Sequence, residues 1–213
     1  MIIDGGNMAK PDRSIDPRIL ESAKEEFLDK GFLGASLNNI CRKAGVTTGA
    51  LYKRFKGKEE LFSALVDDTV DALKKVREEK AALRDDITDE ELWKAWDMDE
   101  GYMMWWFRFL YDRIDAMRLL LSSSEGTKYS HFEHEWVESM CQSTYAYYLK
   151  ARDRGLVENE ISEEEMHVML SSFWMTIYEP IVHYFEWDEL ESLCSHICNL
   201  FNWHRMLGFR RPE

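Results

Sequence analysis

The sequence predicts an all-α protein, a small three-helix unit followed by a larger helical domain. Three observations carry that reading. Only four prolines interrupt 213 residues. Apolar residues recur at i, i+3, i+4 and i+7 with no alternating strand pattern, and capping signals divide the chain into successive helices. A chain of this length, 45% hydrophobic and 31% charged, can give each of the two parts its own core. No internal repeat is visible.

Taken in order, Asp16 is placed to cap a first helix with Pro17 at its first position, and Ile19, Leu20, Ala23 and Phe27 follow at helical spacing until Gly31 ends the run. Ser36 opens a second helix, with Leu37, Ile40, Cys41 and Ala44 on one stripe and Gly45 ending it in the left-handed conformation. Val46 plugs the turn, Thr47 caps a third helix, and Leu51 and Phe55 face the core. A short helix, a tight glycine turn and a second short helix make a helix-turn-helix. Gly57 then starts a long helix from Lys58 to about Leu83. Thr88 with Glu91, and Ser162 with Glu165, form capping boxes. The run SSSEGT from Ser122 to Thr127 breaks the chain before a helix over about Tyr129 to Arg154, which Gly155 ends. Trp187-Asp188 turns into a last helix reaching about Leu207. The expected divisions are a mobile arm over 1–14, a helix-turn-helix domain over 15–60 and a larger helical domain over 61–213.

Charge singles out the second of these. The chain carries a formal net charge of -13, yet between Asp29 and Glu59 there are seven Lys/Arg and no Asp or Glu. Residues 1–60 hold 11 basic and 9 acidic side chains; residues 61–213 hold 16 and 31. An anionic partner is expected to meet the basic window. Thr48, Gly49, Ala50, Tyr52 and Lys53 point outward from the third helix, small or able to hydrogen-bond, so its backbone can approach base edges in a major groove. Arg42, Lys43 and Thr47 flank that surface, and Arg54, Lys56 and Lys58 join Tyr52 and Lys53 where phosphates would be held. The expected partner is a double-stranded DNA operator, with Lys10 and Arg13 of the arm as further candidates for a minor groove.

In this order, Ile19-Leu20, Ala23, Phe27, Gly31-Phe32, Ser36-Leu37, Ile40, Ala44-Gly45-Val46, Gly49, Leu51-Tyr52, Phe55, Lys58 and Leu61 resemble the N-terminal domain of the TetR (tetracycline-repressor) family. The resemblance implies that the helix carrying Thr47 to Phe55 enters the major groove and that Tyr52 and Lys58 touch phosphates. It also implies that the remainder binds ligand and dimerises, in a transcriptional regulator that is most often a repressor released by a small-molecule effector. Cys41 stands where a small alanine is usual, and Ala50 replaces a frequent threonine or serine.

Trp93, Trp96, Tyr102, Met103, Trp105, Trp106 and Phe109 crowd one stretch of the larger domain. A helix with aromatics around most of its circumference is buried on several sides or lines a cavity. These residues are therefore expected to form the pocket of an apolar or aromatic effector. Asp97, Asp99, Glu100, Asp112 and Asp115 lie in or beside the stretch and lean the effector toward a neutral or cationic molecule. Further on, Met169, Phe173, Trp174 and Ile177 share one broad apolar face, and Leu193, Ile197, Leu200 and Phe201 share the next. Their places match the last two helices through which the resembled family dimerises, so they are the expected interface of a homodimer; completion of the monomer core is the other reading.

No segment reads as a secretory signal or a membrane span, the run around Trp105-Trp106-Phe107 being too short. Cys41, Cys141, Cys194 and Cys198 are too sparse for a disulfide scaffold, which points to a reducing cytoplasm. Without a glycine-rich phosphate loop or a nucleophile beside a base at motif spacing, no catalytic residue, enzyme activity or cofactor is expected. The alternative is a metal-sensing regulator or metal-dependent helical enzyme using His131/His134 in HFEHE or Cys194/Cys198 in CSHIC. Neither pair has a second pair at ligand spacing, so no metal site is expected.

Overall fold

The computed structural model describes residues 16–81 and 84–211. The expected N-terminal arm and Leu83 lie outside them. The described helices are α1 (Asp16–Gly34), α2 (Leu37–Ala44), α3 (Thr48–Tyr52), α4 (Lys58–Ala81), α5 (Asp89–Lys94), α6 (Glu100–Tyr111), α7 (Ile114–Ser122), α8 (Phe132–Asp153), α9 (Glu163–Val182), α10 (Trp187–Leu200) and α11 (Trp203–Leu207). Among the described residues no helix is long and apolar enough to cross a membrane.

In the N-terminal unit, Ile19, Ala23 and Phe27 of α1 meet Ile40 of α2, Leu51 of α3, and Leu61 and Phe62 of α4 in one fully buried core. Gly31 adopts φ 66 and ψ 167, which ends the regular run of α1 and leaves one further helical turn beyond a kink. Gly45 is left-handed at φ 66 and ψ 37. This lets its own N–H reach Arg42 O at 3.3 Å and the Val46 N–H reach Cys41 O at 3.0 Å. Both downstream capping boxes form as the sequence predicts, at Thr88–Glu91 and Ser162–Glu165.

The differences from expectation lie at breaks. The third helix stops at Tyr52, three residues before Phe55, although the N–H groups of Arg54 and Phe55 still turn back onto Leu51 O. The aromatic stretch is two helices, because Asp99 caps α6 through the Tyr102 N–H at 2.7 Å and sets it off from α5. The last helix is also two. The chain breaks at Phe201, and the Asn202 side chain caps α11 through the Arg205 N–H at 2.9 Å.

The segment from Ser123 to His131, between α7 and α8, joins the two parts of the chain. The Phe32 N–H donates to Ser123 O at 2.9 Å, the Lys128 N–H to Glu59 Oε1 at 3.2 Å, and the Tyr129 hydroxyl to Asp67. Gly126, at φ +87, lies against Leu33 so closely that a Cβ there would sit 2.4 Å from Leu33 Cδ2.

Candidate DNA-reading surface and effector cavity

The surface around α3 is held from behind by a buried carboxylate. Glu26 of α1 is 3% exposed and accepts from the Ser36 N–H at 3.3 Å and Asn39 Nδ2 at 3.1 Å, with Lys43 Nζ at 3.5 Å. Burial pushes its carboxyl up, but Asn39, the Ser36 N–H and Lys43 together outweigh this and hold it below the ordinary carboxylate range. Ser36 occupies the cap position of α2 without a side-chain cap bond, and Glu26 holds that end of the helix through the Ser36 N–H and the Asn39 side chain. Thr47 caps α3 by accepting from the Ala50 N–H at 3.2 Å. At the other end of α3, Arg54 pairs with Asp16 and donates to Ala50 O at 3.0 Å, tying the helix to the start of α1.

That framework leaves Thr48, Gly49, Tyr52 and Lys53 exposed, with Ala50 half-buried beside them and Arg42 exposed on α2. Besides Arg54, two further residues of the expected DNA-binding set have other partners. Lys43 stands near Glu25 and Glu26 at 3.6 and 3.5 Å. Lys58 Nζ donates to Leu33 O and Ala35 O, both at 3.1 Å, and sits 4.6 Å over the Phe32 ring. Lys58 therefore ties the end of α1 to the start of α4, a role its sequence position does not reveal.

In the larger part, a cavity of about 240 Å³ opens between α4, the α5–α6 segment, α8, α9 and α11. Of the seven residues expected there, Trp96, Tyr102 and Trp106 line it. The other four do not, for separate reasons. Met103 is fully buried in the core. Trp93 stacks on His204 at 4.1 Å. Trp105 is 41% exposed and stacks on Phe109 at 5.5 Å, outside the cavity. The residues that replace them come from distant segments: Arg77 and Lys80 from α4, Thr144 and Tyr147 from α8, Trp203 from α11. Four buried indole nitrogens have no hydrogen-bond partner, those of Trp96, Trp136, Trp174 and Trp203, and neither has the Tyr178 hydroxyl. Across Trp174 lies a second cavity of about 410 Å³ near His131, His134 and Tyr178.

The expected dimer residues divide into two sets. Phe173, Trp174, Ile177 and Ile197 are buried within the single chain, and Phe173 and Trp174 form cavity wall. Their side chains are already covered by the chain's own fold, which leaves them little surface for a second copy. Leu200 is 70% exposed, while Met169, Leu193 and Phe201 are half-buried. Val168 and Met175, exposed on α9, were not in the expected set.

Among the described residues no group of three His, Cys, Asp or Glu side chains is placed to hold a metal ion. Burial, with Cys198 nearby, pushes the Cys194 thiol up to about 12. His134 packs instead against the His167 ring at 5.8 Å.

Comparison with known proteins gives the same division between a specific N-terminal part and a general fold. Residues 19–65 match the family described as bacterial regulatory proteins, tetR family. The HTH-type transcriptional regulator SrpR of Pseudomonas putida is 47% identical over 49 residues, 23% of this chain and 23% of its own length, so the chain spans under a quarter of that relative. A solved member of the TetR family from Streptomyces coelicolor A3 superposes with TM-score 0.60 at 18% identity, over 99% of this chain and 97% of its own. The SmeT–triclosan complex does so with TM-score 0.56 at 19% identity, over 88% and 91%. At such identity these two structures carry the fold.

Proposed function

We propose that this chain, whose residues 19–65 match the tetR family, is a homodimeric transcriptional regulator that binds a near-palindromic operator and is released by a small aromatic effector. Residues 16–60 act as the reader and the remainder as the effector-binding and dimerising part, in the cytoplasm. The observation that carries the reading is the surface of α3. Thr48, Tyr52 and Lys53 stand exposed in an acid-free window, on a framework whose own polar groups are already paired. Thr48 and Tyr52 suit base and phosphate contacts, while Lys53 and Arg42 supply charge to the phosphates. Lys58 supports the reader from within.

Two copies place their α3 helices about 34–36 Å apart, in successive major grooves. The helix α4 favours a lever mechanism, since Arg77 and Lys80 line the effector cavity at one end and Lys58 touches α1 at the other. To empty the operator almost completely, an effector must prefer the released state by roughly 10⁴-fold. The existence of SmeT in complex with triclosan supports a small-molecule effector. For the interface, Val168, Met175 and Leu200, with Met169 and Leu193, form the apolar surface that the single chain leaves open on α9 and α10.

A selection of binding sites from random duplexes, read by sequencing, tests the function. Near-palindromic sites are expected, and equal affinity for an isolated half-site would sink the dimeric reading. Leu200→Glu, at an exposed position, should split the dimer and leave the monomer folded. A variant that stays dimeric puts the interface elsewhere.

A further inference from the structure

Three tryptophans in the wall of the effector cavity carry buried, unpaired donors. Trp96, Trp174 and Trp203 are 2–3% exposed, and their indole N–H groups have no partner. An indole nitrogen can only donate. Burial pushes the Tyr102 phenol up, so its hydroxyl keeps its proton and is a donor as well. The three indole N–H groups lack acceptors and are closed off from the open space, so a bound molecule supplies them only as the wall adjusts around it, while the Tyr102 hydroxyl has the Trp106 side chain as a partner.

Charge in the wall has the same sense. Arg77, Lys80 and Lys94 line the cavity with one carboxylate, Asp97; Lys94 pairs with Glu90 at 2.7 Å and Arg77 lies 3.7 Å from Glu78, just outside the lining. The Lys80 ammonium lies 4.5 Å over the Tyr102 ring and 4.8 Å over the Trp105 ring, at the edge of the aromatic wall. The other acids that leaned the sequence reading toward a neutral or cationic effector are placed elsewhere. Asp99 caps α6 and Asp115 pairs with Lys24 at 2.8 Å, while Glu100 and Asp112 are not part of the lining. Size sets the last limit. About 240 Å³ falls below the roughly 300–1,000 Å³ usual for drug-sized ligands, which leaves room for one or two rings.

We propose that this cavity binds a small aromatic acid, its flat body against Trp96, Trp106 and Trp174 and its carboxylate toward Arg77 and Lys80. The inference deepens the effector reading given above and rests on it. Ring faces supply apolar contact, the cations supply the charge preference, and the indole N–H groups gain acceptors as the wall adjusts around the ligand.

Calorimetric titration of the full chain with three probes of one shape tests it: naphthalene-2-carboxylate, the neutral naphthalene-2-carboxamide and the cationic naphthalen-2-ylmethylammonium. The carboxylate should bind at least about tenfold more tightly than the ammonium probe. Lys80→Met should remove most of that preference while carboxamide affinity changes little, and Trp203→Phe, which keeps a ring and loses the N–H, should weaken carboxylate and carboxamide alike. Operator binding by the effector-free variants confirms that they fold. Equal or tighter binding of the ammonium probe overturns the proposal, as does an unchanged preference in Lys80→Met or no binding of any probe. A chain that selects an operator but prefers the ammonium probe loses only this inference. One that binds the carboxylate but selects no operator loses only its role as a regulator.

Discussion

The two parts of the chain handle buried polar groups in opposite ways. In the N-terminal unit the one deeply buried carboxylate, Glu26, has Asn39, the Ser36 N–H and Lys43 around it. In the larger part, all five of the buried polar side-chain atoms found without a partner among the described residues lie from Trp96 onward. A fully satisfied buried network fixes one arrangement, whereas unsatisfied donors leave free energy for a ligand or a rearrangement to recover. The reader is therefore built to keep its shape, and the effector part to change in response to what enters it.

The largest effect should come from breaking the satisfied side of this contrast. Glu26→Ala leaves the Ser36 N–H and Asn39 without their acceptor and should cost about 2–4 kcal/mol in urea unfolding. The sign with pH follows from its lowered folded-state value. The native state binds this proton less readily than the unfolded chain does. The contribution is therefore complete above the ordinary carboxylate range and is lost as pH falls through the lowered value. A variant whose stability matches the parent at every pH would remove Glu26 from its structural role.

The joint between the parts comes next. Gly126→Ala forces a side chain into φ +87 against Leu33 and should cost about 1–3 kcal/mol. Effector-free operator affinity should survive better than the response to effector. Loss of both in equal measure would mean that this contact merely holds the fold.

On the unsatisfied side the sign reverses. Tyr178→Phe deletes a buried hydroxyl that has no partner and should stabilise the protein by about 1 kcal/mol, read as a raised unfolding midpoint. Destabilisation would show that the hydroxyl is satisfied after all and would weaken the contrast. The smallest stability effects belong to the exposed reader, where Thr48→Ala and Lys53→Ala should stay within about 0.5 kcal/mol of the parent. They should separate on DNA. Thr48→Ala should change the preferred sequence, and Lys53→Ala should lower affinity for all sequences and make the salt dependence shallower by about one unit.

What was legible in the sequence was local. Gly45 and the Thr88–Glu91 and Ser162–Glu165 boxes depend on neighbours within a few residues, so the pattern contains its own explanation. The breaks at Asp99 and Asn202 use the same capping chemistry, but Asp99 is one of three acids within Asp97–Glu100 and Asn202 lies between Phe201 and Trp203. Periodicity marks Phe173 and Trp174 as apolar-facing without saying whether that face meets the chain's own core, a cavity or a second copy. The cavity wall was least legible. Lys80, Thr144 and Trp203 meet there only after the chain has folded, and an indole without an acceptor leaves no trace in the sequence.

The chain has eight tryptophans, and every one lies at position 93 or later. Excited near 295 nm, where tyrosine absorbs little, the protein should emit almost wholly from the effector part, about the reader's folding only indirectly. Several indoles lie edge to face, Trp106 and Trp174 with ring centroids 5.1 Å apart, so their emission should be coupled and sensitive to one molecule entering the cavity. Nature has in effect placed an optical label on one half of the molecule and left the other half dark.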